Sequence, residues 1–138
     1  MIHVTNIRNM HPEQHDNAYV IVRILKQPIK HAIQLPVLSP DKEIFWQFLN
    51  LQKQGKWNQE TFDHWYTPAF LAQITNDENA RDILRDILHL DKQGKDIVLA
   101  CFCNNPNLCH RSIIAGILAE NGGNIKTDNI LKHYGLLL

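Results

Sequence analysis

Apolar positions along the chain fall into short β-rich runs and longer stretches on helical spacing, and the two kinds alternate. Ile2 to Ile7 reads as a strand. Ala18 to Leu25 is nearly continuous in apolar and β-branched residues, the pattern of a strand covered on both faces. The link between them holds Asn9, His11, Pro12, His15 and Asp16 and reads as an exposed loop. Pro28 and Pro36 flank a short extended piece over Ala32 to Leu38. Ser39-Pro40 supplies an N-cap and first-turn pair for a helix carrying Ile44, Phe45, Phe48 and Leu49 as far as Gly55. Asn58 caps a short helix through Phe62 and Trp65, and Thr67-Pro68 starts another to Ile74. Asp77 caps the clearest helix, where Ala80, Ile83, Leu84, Ile87 and Leu88 form one stripe. After Gly94, Asp96 to Phe102 reads as a buried strand, Cys103 to Cys109 as a turn-rich loop, and His110 onward as a helix ending at Gly122-Gly123. The tail from Asn124 to Leu138 adds a short strand or helix.

Strands separated by helices predict one α/β domain over residues 1–138, three-layered, with a mostly parallel central sheet flanked by helices. The length, 138 residues, suits a single domain, and 44% apolar content is enough for a core. Fourteen Lys and Arg balance fourteen Asp and Glu, so any anion recognition is local and broad duplex binding is disfavoured. The start lacks the pattern of a signal peptide, and no apolar run approaches the roughly 20 residues of a membrane helix. The three cysteines fall within nine positions, unlike a secreted disulfide framework, which points to the cytoplasm.

Chemistry concentrates at Cys101-Phe-Cys-Asn-Asn-Pro-Asn-Leu-Cys-His-Arg111. A strand leading through a loop into a helix is where α/β sheets gather ligands, and the helix start presents free N–H groups to an anion. Arg111 adds a forked cation and Ser112 a hydroxyl. The same field favours thiolate at Cys109. On this reading Cys109 or Cys103 is a candidate nucleophile and His110 a candidate acid–base.

Val98 to Ala115 resembles the C-terminal signature of the family catalogued as domain of unknown function 488: an apolar strand, a Cys, a short loop, then Cys-His-Arg opening a helix. Asn6-Ile-Arg8 is similar to the Asp-Val-Arg triplet that members place at the end of an early strand, with Asn6 in place of the acid. The resemblance thus lets Arg8 join Arg111 at the anion. Many members carry an acid two positions after the strand Cys, where this chain has Cys103. The stretch Phe62 to Phe70, with Tyr66 before a helix, is similar to the family's middle, and Tyr66 is a candidate to line the site beside His64. The family's name supplies no reaction.

Other uses of these residues compete. Cys101, Cys103, Cys109 and His110 form a ligand set that zinc accepts. If the strand stays extended through Cys103, however, the Cβ atoms of Cys101 and Cys103 lie roughly 6–7 Å apart, too far for one tetrahedral ion. No metal or other cofactor is therefore assigned. A Cys101–Cys103 disulfide meets the same obstacle. A phosphatase-type loop needs Arg six positions after Cys, and six positions after Cys103 stands Cys109. The structural alternative packs Cys109 under the loop, with His110 and Arg111 satisfying loop carbonyls. The leading expectation is an enzyme acting on a small phosphorylated or nucleotide-like ligand. The alternatives are a non-catalytic module binding a nucleotide or nucleic-acid end, and a structural zinc domain.

Overall fold

In the computed structural model, which describes residues 1–138, the apolar run Ile97–Cys101 (β4) is buried along its whole length because it lies in the middle of the sheet. Its neighbours are β1 (Ile2–Asn6) on one side and β2 (Asn17–Val20) on the other; β3 (Ile33–Gln34) and β5 (Ile125–Thr127) form the edges. All five strands are parallel, in the order β3-β2-β4-β1-β5. Flanked by helices, they make the α/β domain that the alternation predicts.

β2 ends earlier than its apolar run. The Ile21 amide still donates to the Ala100 carbonyl at 2.9 Å, but β4 stops at Cys101 and offers nothing further to pair with. Ile21 and Val22 therefore stay buried while Ile24 emerges into solvent, 73% exposed. The extended piece around Ala32 is also shorter, because Pro36 opens a 3₁₀ turn over Pro36–Leu38.

α1 spans Lys42–Lys53, capped not by Ser39 but by Asp41, whose carboxylate accepts the Ile44 amide at 2.9 Å. Ser39 instead donates its hydroxyl to the Pro36 carbonyl. Asn58 caps α2 (Gln59–Thr61) in a reciprocal box with Thr61, and α2 runs through a π-helical turn, Phe62–Tyr66, directly into α3 (Thr67–Asn76). The two helices expected here are thus one continuous path; the wide turn accommodates Pro68, which has no N–H to give. Asp77 caps α4 (Glu78–Lys92) as the pattern indicates, its carboxylate accepting the Ala80 amide.

α5 (His110–Glu120) packs on β1, β4 and β5 and against α3, and every residue from His110 to Leu118 is buried. A helix covered all round ordinarily carries apolar side chains. Its first three residues, His110, Arg111 and Ser112, are the exception, and the fold carries them into the interior. No helix is long and apolar enough to cross a membrane.

Candidate functional site

β2 is followed by β3 on one flank of the sheet, while β4 is followed by β5 on the other. The chain therefore leaves the carboxyl ends of these two adjacent strands in opposite directions, and a crevice opens between them. A cavity of about 210 Å³ occupies this position. Val22, Arg23 and Ile24 from the segment after β2 and Phe102 and Cys103 from the segment after β4 line it, together with His110 at the head of α5. Phe45 and Phe48 of α1 and Tyr66 of the π turn close its aromatic side. Phe102 is 57% exposed, so one aromatic face is open at the mouth.

At the inner wall three sulfurs and an imidazole converge. The donor atoms of Cys101, Cys103, Cys109 and His110 all lie within 4.8 Å of one another. This removes the spacing objection to a shared ion, which assumed extended backbone through Cys103. β4 ends at Cys101 and the chain bends at Phe102, turning Cys103 back over the strand end. Cys103 and Cys109 are joined by a disulfide, with Cα atoms 6.1 Å apart, and the Cys101 sulfur sits 3.1 Å from that of Cys109. The candidate nucleophiles Cys103 and Cys109 are thus joined to each other in this oxidised state, and a free thiolate at either requires that the bond be opened. Burial pushes the remaining thiol, Cys101, up to about 11, although the Cys103 amide and the Arg111 charge act in the opposite direction.

His110 is held by both ring nitrogens. Nε2 lies 2.7 Å from the Ile21 carbonyl, which can only accept, so Nε2 carries the proton and Nδ1 faces the Cys109 sulfur at 3.6 Å. Burial drives this imidazole down to about 4, with the Ile21 carbonyl opposing and Arg111 assisting. It is a neutral ring near pH 7. Tyr66 is buried beside it, stacked on Phe62, and its phenol is pushed well above the ordinary range by burial and by the nearby Cys101, with the His110 amide acting the other way.

The two arginines expected at an anion lie off this cavity. Arg111 is 1% exposed; its Nη1 is 3.4 Å from the Asp128 carboxylate, and Nε and Nη1 have no hydrogen-bond partner. Arg8 is exposed and donates through Nη2 to the Asn104 side chain, holding the site loop to the end of β1. The Ser112 hydroxyl donates to the Cys109 carbonyl at 2.7 Å. The cation on the cavity is Arg23, whose Nε donates to the Pro40 carbonyl. Arg23 escaped the sequence reading because it sat inside a presumed buried strand; a charge in such a run was itself the signal. Asn6 is buried: its amide donates to the Cys103 carbonyl at 3.1 Å and its oxygen accepts the Arg8 amide at 2.7 Å. His64 is exposed and does not reach the cavity. Of the residues singled out from the sequence, the fold thus brings Cys103, Cys109, His110 and Tyr66 together.

The chain matches the family described as "Active DUF488-N3 subclade" over residues 2–122. It belongs to that family. The match takes in β1, β2, β4 and the whole Cys101–Arg111 segment, so the DUF488 assignment covers every residue of the cavity wall. No curated protein and no solved structure matches the chain.

Proposed function

We propose that this DUF488 protein is an enzyme acting on a small phosphorylated or nucleotide-like molecule at the crevice between β2 and β4. The observation that carries the reading is the placement of Cys103 and His110 in the wall of an aromatic-lined cavity at the point where the strand order reverses. A flat ring system suits the space between Phe45, Phe48, Tyr66 and Phe102, and Arg23 at the same cavity suits a phosphate or carboxylate. The volume, about 210 Å³, falls below the ~300–1,000 Å³ of sites for drug-sized ligands. It favours a single ring over a dinucleotide. The reacting group in this reading is sulfur: Cys103 faces the ligand, with Cys109 and His110 behind it. The description of the subclade as active accords with a catalytic role. The reading places the protein in the cytoplasm, where a reducing milieu keeps the Cys103–Cys109 pair open.

The test is a thermal-shift screen of nucleotides, nucleosides, sugar phosphates and simple anions under reducing conditions, on wild type, Phe102→Ala and Arg23→Ala in parallel. Phe102 is largely exposed, so its removal leaves unfolding in the absence of ligand unchanged. One ligand class should raise the transition of wild type by several degrees, and both variants should lose that shift. Turnover of the ligand so found should vanish in Cys103→Ser while its binding persists. If no ligand class shifts wild type, or if the variants respond as wild type does, the cavity is not the site.

A further inference from the structure

We infer that in the reduced protein Cys101, Cys103, Cys109 and His110 bind one zinc ion, with Cys103 as the ligand that faces the cavity. The donor set is the first argument. Three sulfurs and one imidazole nitrogen are a tetrahedral zinc set, and thiolates select zinc over the hard oxygen-seeking cations. Geometry is the second. Sulfur atoms on a tetrahedral zinc at about 2.3 Å stand roughly 3.8 Å apart, and sulfur and nitrogen slightly closer. Here Cys101 and Cys109 are 3.1 Å apart, Cys109 and the His110 Nδ1 3.6 Å, and all four donors fall within 4.8 Å. Opening the Cys103–Cys109 bond lets Cys103, half-buried on its loop, swing to the remaining corner.

The surroundings are those a zinc site needs. The Ile21 carbonyl takes the Nε2 proton of His110 and so aims the Nδ1 lone pair at the sulfurs, the outer-shell contact that orients metal-bound imidazoles. Three thiolates on Zn²⁺ leave one net negative charge, which a dry interior disfavours unless it is matched. Arg111 matches it. Its guanidinium is buried beside the cluster with Nε unpartnered and only Nη1 facing the largely exposed Asp128, and its charge already acts on Cys101 and His110. The second group of metal-ligand type, His3, His15 and Asp96, is weaker on both counts. It offers no sulfur, and its carboxylate already engages both rings, at 2.7 Å and 3.0 Å.

The chemistry balances in two steps. A phosphine or thiol reductant gives two electrons, and solvent two protons, to the Cys103–Cys109 bond, yielding two thiols; Zn²⁺ then displaces the three thiol protons to solvent. The inference does not depend on any ligand in the cavity. Where both readings hold, zinc keeps Cys103 as a thiolate facing the bound molecule.

The experiment uses the full chain reduced with a phosphine, loaded with Zn²⁺ or Co²⁺ and freed of excess metal. Mass-spectrometric metal analysis should find one zinc per chain, and the cobalt form should show the intense visible bands and sulfur-to-cobalt charge transfer of a tetrahedral thiolate site. The oxidised chain should retain none. Cys103→Ser, on a half-buried loop, preserves the fold by circular dichroism and should bind zinc at least about tenfold more weakly, as should Cys109→Ser. His3→Ala should bind as wild type does. Failure of reduced wild type to hold zinc overturns the inference; so does zinc that survives in both cysteine variants or is lost in His3→Ala. A nucleotide-induced thermal shift in zinc-free reduced protein reads the cavity separately, so each proposal can fail alone.

Discussion

Replacing Arg111 by Met should make the disulfide form of this protein more stable, although it removes a buried residue at the centre of the site. The stem of Arg111 is packed in the interior, and an unbranched thioether of similar length fills the same space. What disappears is polar. Nε is buried without a partner and Nη1 faces only the Asp128 carboxylate, and an unmade buried donor costs about 1–3 kcal/mol. Against this stands the ion pair with Asp128 at 3.4 Å, worth about 1 kcal/mol in a water-like medium and about 5 kcal/mol at an effective dielectric of 20. Asp128 is 58% exposed, which puts the pair toward the lower figure. One unmade donor less the pair leaves Arg111→Met favoured by up to about 2 kcal/mol. In urea unfolding the midpoint should rise with an unchanged slope, and the thermal transition should rise by up to about 8 °C. A variant that unfolds more easily than wild type by 1 kcal/mol or more would refute the reasoning. It would show that the guanidinium is a structural hydrogen bonder, as the alternative sequence reading had it. A stabilised variant that no longer holds zinc when reduced would show instead that Arg111 is kept at a cost to stability for the charge it brings to the cluster.

Two further perturbations test the frame around the site. His110 is buried as a neutral ring with its folded value depressed from 6.5 to about 4, so the stability this contributes is complete above pH 6.5 and is lost as pH falls through 4; the loss across the interval is on the order of 3 kcal/mol. Urea midpoints of the disulfide form at intervals between pH 7 and 4 should trace it, and His110→Gln, which keeps a donor for Ile21, should flatten the curve; an equally steep fall in the variant assigns the loss to other groups. A Cβ at Gly116 would lie 2.5 Å from the Lys132 carbonyl oxygen and 2.6 Å from the Tyr134 ring, so Gly116→Ala should lift the C-terminal segment off α5. Its loss of Leu136 burial, about 1.5–3 kcal/mol, outweighs the roughly 1 kcal/mol gained in helix propensity. Hydrogen exchange should then show the Tyr134, Gly135 and Leu138 amides unprotected, since they donate to Glu120 and Asn121 of the displaced interface; retained protection would mean that close approach at Gly116 does not hold the segment to α5.

The parts of the site that the sequence made legible are those encoded within one local run. The apolar stretch before Cys101 and the helical spacing after His110 place a strand, loop and helix in order, and the family match covers the same residues. The aromatic wall was not legible in that way. Phe45 and Phe48 come from a helix more than fifty residues upstream, and no periodicity within α1 says which crevice its apolar face will close. The spacing objection to an ion shared by Cys101 and Cys103 fails for a related reason: a strand persists only while its neighbours offer hydrogen bonds. β1 pairs with β4 as far as Asn6 opposite Cys101 and then turns into a 3₁₀ helix at Ile7, so β4 loses its partner one residue before Phe102. At that point the Asn6 side chain takes over from main chain, its amide donating to the Cys103 carbonyl while its oxygen accepts the Arg8 amide. A carboxylate in this place could accept from Arg8 but has no N–H for Cys103. The amide holds the bent loop in the position that lets the Cys103 sulfur meet Cys109, Cys101 and His110.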